Sequence, residues 1–452
     1  MKKTDRSEKT THTDSEADNW RLSQFKVPPH ETKIRFHDFD LPDAVMRAIQ
    51  GLGFTYCTPI QAEILPAALT GRDAFGRAQT GTGKTAAFLI TVITRMLNNP
   101  IQGTRKSGTP RVLIIAPTRE LVLQISAEAR ELTRYCDVTL VSVFGGMDYK
   151  KQKAQLSGKP VDIIVATPGR LLDFKQRRDL FLDRVEMLIL DEADRMLDMG
   201  FIPDVRKIIH STPHKDKRQT MLFSATLTEA ITRLAASWTN NPATVEIDPE
   251  QVAVDSVDQI VYIVTENEKF ALLYNIIARE DLHRLIIFCN QKNQVVRLAE
   301  RLTRYGIECR ELSGDIPQKK RIDRLNRFKA GKIRVLVATD VAARGIHIEG
   351  MDHVVNFTLP HDPEDYIHRI GRTGRAGALG TAISFADEED AFYLPAIEEL
   401  IERKIDCIYP EEDWLIMPEP VRPKKAKTAA KKPQSRNKQR RSTQGAGTKH
   451  RG

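Results

Sequence analysis

Three carboxylates, Asp191, Glu192 and Asp194, follow directly on the apolar run Met187-Leu188-Ile189-Leu190, and upstream of them lies Ala78-Gln79-Thr80-Gly81-Thr82-Gly83-Lys84-Thr85. A buried strand that ends in Asp-Glu delivers two acids to the carboxyl edge of a parallel sheet. One acid can hold Mg²⁺ there and the other can orient a water. The upstream loop works through its backbone: Gly81 and Gly83 permit a tight turn that aims N–H groups inward, and the following helix offers its positive amino end. Lys84 adds a point charge near the β/γ-phosphates, and Thr85 a hydroxyl for Mg²⁺. The strict phosphate-loop pattern asks for Gly where this chain has Ala78. An acidic loop alone would more simply cap a helix; together, the two stretches point to a nucleoside triphosphatase.

A third stretch, His368-Arg369-Ile370-Gly371-Arg372-Thr373-Gly374-Arg375, repeats arginine every three residues. A helical reading places Arg369, Arg372 and Arg375 near one face. Guanidinium groups that reach a triphosphate act as arginine fingers; otherwise such a row is a basic face bound to water or phosphate.

These groups need a frame. Asp73 to Phe75, Val112 to Ala116, Thr139 to Phe144, Asp162 to Ala166, Met187 to Leu190 and Thr220 to Phe223 read as short strands separated by amphipathic helices, the rhythm of βαβ units. Around Asn241 to Val254 the pattern breaks, predicting a linker. It resumes at Val261 to Val264, Leu285 to Cys289, Val335 to Ala338, His353 to Phe357 and Thr381 to Phe385, with an edge near Tyr409. The expected architecture is α/β, two tandem parallel-sheet domains. The expected divisions are an N-terminal extension without fixed structure (1–32), domain 1 (33–240), a linker (241–254), domain 2 (255–410) and a basic tail (411–452). Only the first domain carries a phosphate loop, so the nucleotide should sit in the cleft between them.

Composition narrows the setting. With 452 residues and 41% hydrophobic content the chain can build more than one core. Its apolar runs are too short to cross a membrane and no charged-then-apolar leader opens it, so a protein of the cytoplasm is expected. Cys57, Cys136, Cys289, Cys309 and Cys407 are odd in number and widely spaced, which argues against a disulfide framework or zinc site. The net charge of +9 is local: twelve of the 69 Lys/Arg and none of the 60 Asp/Glu fall after Pro420, leaving 57 against 60, or −3, before it. That polycationic tail suits nucleic acid, or mere solubility. Trp20 and Phe25 could form a docking motif or be surface accidents.

The chain resembles the DEAD-box RNA helicases from Phe36 to about Tyr409, with the family's motifs in order. They are Gly53-Phe54 through Thr58-Pro59-Ile60-Gln61, the phosphate loop, Pro117-Thr118-Arg119-Glu120-Leu121, Gly145-Gly146, Thr167-Pro168-Gly169-Arg170, Asp191 to Asp194, Ser224-Ala225-Thr226, Ala338-Thr339-Asp340 with Ala343-Arg344-Gly345, and His368 to Arg375. Within the family it is most similar to the bacterial degradosome-associated branch, through Cys57, Ser313-Gly314-Asp315, Gln318 to Arg321, Gly345-Ile346-His347-Ile348 and the basic tail.

The resemblance implies that the two parallel-sheet domains are tandem RecA-like domains, with ATP and Mg²⁺ as cofactors, Phe54 and Gln61 at adenine and Phe36 as the family's upstream aromatic or a core residue. It makes residues 78–85 the phosphate site, Asp191 the Mg²⁺ acid, Glu192 the group that places the water, and Arg372 and Arg375 the fingers. Asp194, Ser224, Thr226 and His368 would couple the domains. Thr118, Arg119, Gly145, Gly146, Thr167, Gly169, Arg170, Arg321, Thr339 and Gly345 would hold an RNA backbone without reading sequence. His347 stands where most relatives have the ribose-binding Asp, which leaves a poorer acceptor. The implied enzyme is a monomeric, ATP-dependent RNA helicase that separates short duplexes and acts in RNA turnover or remodelling, with a degradosome scaffold on domain 2 as a further partner. An ATP-gated RNA clamp and a DNA-acting ATPase are the alternatives.

Overall fold

Branched apolar runs form the central strands, and six of the fourteen strands among the described residues are buried along their whole length, as parallel strands covered on both faces must be. The protein was studied as a computed structural model, which describes residues 20–78, 81–101, 103–158, 160–247, 257–343, 351–373, 380–417 and 419–420. The first sheet contains β1 (Ala74–Arg77), β2 (Val112–Ile115), β3 (Leu140–Val143), β4 (Ile163–Ala166), β5 (Met187–Leu190), β6 (Gln219–Ser224) and β7 (Ala243–Glu246), in the spatial order β3-β4-β2-β5-β6-β1-β7. The second contains β8 (Val257–Ile263), β9 (Leu285–Phe288), β10 (Cys309–Leu312), β11 (Val335–Ala338), β12 (His353–Asn356), β13 (Gly380–Ala386) and β14 (Asp406–Ile408), ordered β10-β11-β9-β12-β13-β8-β14. Counted from its own first strand, each sheet has the same order, and every pairing is parallel. This is a repeated RecA-like α/β architecture.

Helices cover both faces of the first sheet, and their starts show the local logic. Gly83, at φ +92°, turns the chain into the helix Lys84–Asn98. There a side chain would meet Gln61 and Thr58, so both conformation and space favour glycine. Thr118 caps Arg119–Leu132 by accepting the Leu121 N–H at 3.2 Å.

Three boundaries differ from expectation. Residues 20–32, expected to lack fixed structure, lie on domain 1. Phe25 and Val27 are buried, the Trp20 Nε1–H donates to Gln50 at 2.7 Å, and the His37 ring donates to the Phe25 carbonyl at 2.7 Å. A few apolar side chains suffice to anchor an otherwise polar segment. The expected linker contains β7, which pairs with β1 at the sheet edge; Asn-Pro ahead of it reads as a break although the strand is only four residues long. The expected tail begins with an ordered stretch. Asn275 Nδ2 donates to the carbonyls of Trp414 (2.8 Å) and Ile416 (3.0 Å), Arg279 pairs with Asp413 at 2.6 Å, and the Arg279 guanidinium lies over the Trp414 ring. Strand β10 had no expected counterpart. Residues 248–254 of the linker and 421–452 of the tail lie outside the described residues, as do 1–19.

Candidate active site

Strand order decides which motifs meet. β5, β6 and β1 are neighbours with their ends in register, Leu190 opposite Leu222 and Arg77 opposite Ser224. The loops that follow them, at 191–194, 224–226 and 78–85, therefore share one stretch of the carboxyl edge. β3, β4 and β2 are neighbours too, so residues 144–147, 167–170 and 116–119 gather on the other half of that edge.

In the first group Lys84 Nζ lies 3.2 Å from Asp191 Oδ1 and 3.5 Å from the Ala78 carbonyl, with both side chains buried. Burial disfavours the ammonium, but Asp191, Glu192 and Asp194 together outweigh it and keep Lys84 charged. Asp191 Oδ2 is buried without a hydrogen-bond partner among the described residues. Glu192 adopts a left-handed conformation at φ +54°, unusual for a residue with a side chain and of the kind that marks functional turns. Its Oε2 meets Arg195 Nη1 at 3.1 Å. Burial pushes the Glu192 carboxyl up, yet Arg195, Lys84 and Arg372 prevail and hold it below the ordinary range. Asp194 Oδ2 accepts the N–H groups of Ala225 (2.9 Å) and Thr226 (3.2 Å), which ties the end of β5 to the end of β6. Ser224 is fully buried.

Gln61 is buried with its amide engaged at both ends. Its Oε1 accepts the Thr58 N–H at 2.9 Å and its Nε2 donates to the Gly83 carbonyl at 3.0 Å, so it joins the start of its own helix to the phosphate loop. Phe36 is fully buried and stacks beneath the half-buried Phe54, with ring centroids 6.3 Å apart. Of the two, Phe54 alone has a face to offer. Thr85 is buried beside Lys84, Gly81 has φ +89° and Thr82 is partly exposed. Gln79 and Thr80 lie outside the described residues.

The second domain reaches this group from β12. The helix Pro363–Ile370, capped by Asp362, stops at Gly371, so the arginines do not share a helical face as their spacing predicted. Arg369 points into its own domain, 1% exposed, and its guanidinium bonds Asp340 (2.6 and 2.8 Å), Asn290 (2.7 Å) and the Thr358 carbonyl (2.6 Å). Arg372, past the helix end, is buried and is among the charges acting on Glu192. His368 and Glu364 line a cavity of about 360 Å³ together with Arg77, Ala225 and Thr226. Arg375, Gly345 and His347 lie outside the described residues.

In the second group Arg119 lies against Gly145 and Gly146; at Gly146, with φ +80°, any Cβ would collide with its guanidinium. Arg170 donates to the Met147 carbonyl at 3.3 Å. The Thr167 N–H donates to Val143, and Gly169 borders open space. From domain 2, Thr339 follows β11 in a buried position. Arg321, read as a phosphate contact, is instead buried, with Nε 2.7 Å from Glu120 of domain 1 and Nη2 donating to the Ala342 carbonyl at 2.5 Å. Glu120, quoted within its motif, was given no role from sequence, and Arg195 was not singled out at all; its place directly after Asp194 is the only local signal it gives.

Two parallel sheets of one topology, a phosphate loop on the first and a buried arginine from the second at the same cleft define a tandem RecA-like ATPase. Residues 58–234 match the family described as DEAD/DEAH box helicase, and residues 268–377 match the helicase conserved C-terminal domain. The chain is 60% identical over 389 residues to the ATP-dependent RNA helicase RhlB of Pseudomonas aeruginosa, covering 86% of this chain and 98% of that one. It is 47% identical to the RhlB of Xanthomonas oryzae, covering 86% and 68%. Among solved structures, Saccharomyces cerevisiae Dbp5 bound to RNA and ADP BeF3 superposes with a TM-score of 0.74 at 31% identity, covering 83% of this chain and 95% of that one. Mss116p bound to ssRNA and AMP-PNP gives 0.75 at 27%, covering 86% and 82%. The chain belongs to the DEAD-box family of ATP-dependent RNA helicases, and its enzymatic class is that of an RNA-dependent ATPase. No helix among the described residues is long and apolar enough to cross a membrane.

Proposed function

We propose that the chain uses ATP to close its two domains on RNA and so separates short duplexes locally, as part of RNA turnover in the cytoplasm. The observation that carries this reading is the shared carboxyl edge of the first sheet, where one half presents the phosphate loop and carboxylates and the other presents Thr118, Arg119, Gly145, Gly146, Thr167, Gly169 and Arg170. Each half is met by domain 2, through Arg372 and His368 on one side and Arg321 on the other.

In this reading Phe54 and Gln61 hold the base, residues 78–85 the phosphates, Glu192 the attacking water, and Arg372 with Arg375 the transition-state charge. The threonine hydroxyls and glycine N–H groups hold the sugar-phosphate backbone, with Thr339 and Gly345 from domain 2. Asp194, through the Ala225 and Thr226 N–H groups, passes the state of the nucleotide to the cavity lined by His368. Asp191 Oδ2, buried without a partner among the described residues, and the buried Thr85 of the phosphate loop have the chemistry of ligands for one side of a Mg²⁺ site. That ion would neutralise phosphate charge when bound. A scaffold of an RNA-degrading assembly is the further partner proposed for domain 2, on the family resemblance alone. Strand separation on short RNA and DNA duplexes tests the function. The expected result is ATP-dependent separation of RNA and not DNA; equal activity on DNA, or ATP-dependent binding without separation, would overturn it.

A further inference from the structure

Adjacent carbonyls on the short helix Asp340–Ala343 receive guanidinium groups that serve the two halves of the cleft. The Ala342 carbonyl accepts from Arg321, which grips Glu120 of domain 1 beside the candidate RNA loops. The Val341 carbonyl accepts from Arg195 Nη2 at 3.5 Å, a long contact, while the other arm of Arg195 holds Glu192 Oε2 at 3.1 Å. Arg195 belongs to domain 1 and the helix to domain 2, so Arg195 bridges the domains and touches the candidate water-placing carboxylate at once. The helix itself is braced from behind by the two-pronged bond between Asp340 and Arg369.

We infer that Arg195 is a positioning residue for ATP hydrolysis, fixing Glu192 in its left-handed turn only when the helix Asp340–Ala343 has docked against domain 1. This rests on the assignment of Glu192 as the group that places water. With the domains apart, Arg195 loses the Val341 carbonyl, and its hold on Glu192 is no longer braced from domain 2. With them together, the guanidinium is pinned at both ends in a buried site, and its planar fork sets the carboxylate's direction. RNA that draws Arg321 and the Glu120 side of the cleft together also seats the Val341 carbonyl, because both carbonyls lie on one turn. Stimulation of hydrolysis by RNA then has a specific path: Glu120, Arg321, the short helix, Arg195, Glu192.

The test compares R195M, R195K and E192Q with the double variant R195M/E192Q in the full chain, by steady-state turnover with and without RNA and by single-turnover hydrolysis. R195M should lower the RNA-stimulated kcat by about 10²-fold, the scale of a misplaced group. It should leave the KM for ATP and the melting temperature near wild type, and most of the RNA stimulation should vanish. R195K should recover part of it. In the E192Q background R195M should cost nothing further, because Arg195 acts through Glu192. Normal RNA stimulation in R195M while E192Q stalls would overturn the inference, as would a further loss in the double variant. E192Q turning over at the wild-type rate would instead sink the role of Glu192, and Arg195's role with it.

Discussion

Glu120 of the first domain and Arg321 of the second meet at 2.7 Å, side chains about nine-tenths buried on both sides. Domain separation would return both charges to water, so this pair weighs on closure more than on folding. A hydrogen bond to a charged group is worth about 1.5–3 kcal/mol net. Glu120→Gln should weaken RNA binding in the presence of a non-hydrolysable ATP analogue by roughly 10- to 100-fold, with little change in melting temperature. Equal affinity by fluorescence titration would show that the pair does not hold the closed state.

Lys84 and Arg372 should fail differently. Lys84 is bound up with the phosphate loop and Asp191, so Lys84→Ala should weaken nucleotide binding itself. Arg372→Ala, and by the family resemblance Arg375→Ala, should leave ATP bound and lower turnover by about 10³-fold or more, since fingers act on transition-state charge. Calorimetric binding beside steady-state kinetics separates the two, and near-normal hydrolysis by Arg372→Ala would refute the finger assignment.

Glu192→Gln keeps the size of the side chain and removes its charge. ATP and single-stranded RNA should still close the cleft while hydrolysis stalls, leaving a long-lived complex. Gel shifts chased with competitor RNA measure that lifetime, and one no longer than wild type's counts against the prediction.

Phe25 predicts a stability effect where a loose extension would give none. It is 7% exposed and packed on domain 1, so Phe25→Ala should cost about 3 kcal/mol. That corresponds to roughly 6–12 °C in the unfolding of a domain of this size. Differential scanning fluorimetry would read it, and an unshifted transition would mean the segment is not held there.

The twelve Lys/Arg after Pro420 predict a salt effect. Each phosphate contact adds roughly 0.7 to the slope of log affinity against log salt on single strands. Removing residues 421–452 should weaken RNA binding and flatten that slope, while saturating RNA still stimulates hydrolysis. An unchanged slope would make the tail a solubiliser.

Much of this was legible in the chain itself. Branched apolar runs specify buried parallel strands because side-chain period and burial are local properties. Likewise Gly81, Gly83, Lys84 and Thr85 announce a phosphate site because that chemistry lies in consecutive backbone groups. The polarity of residues 20–32 and the Asn-Pro before β7 misled, since a short edge strand or a single buried phenylalanine leaves almost no periodic trace. Arg369, Arg372 and Arg321 look alike in sequence, three cations in helical or near-helical settings. Only packing separates them: Arg369 braces its own domain through Asp340, Arg372 lies where its charge acts on Glu192, and Arg321 is claimed by Glu120. Those partners lie 29, about 180 and about 200 residues away in the chain, respectively. Which cation meets which carboxylate is therefore set by strand order and domain docking, long-range relationships that no local pattern encodes, whereas the candidate reacting groups can be proposed from a few consecutive residues.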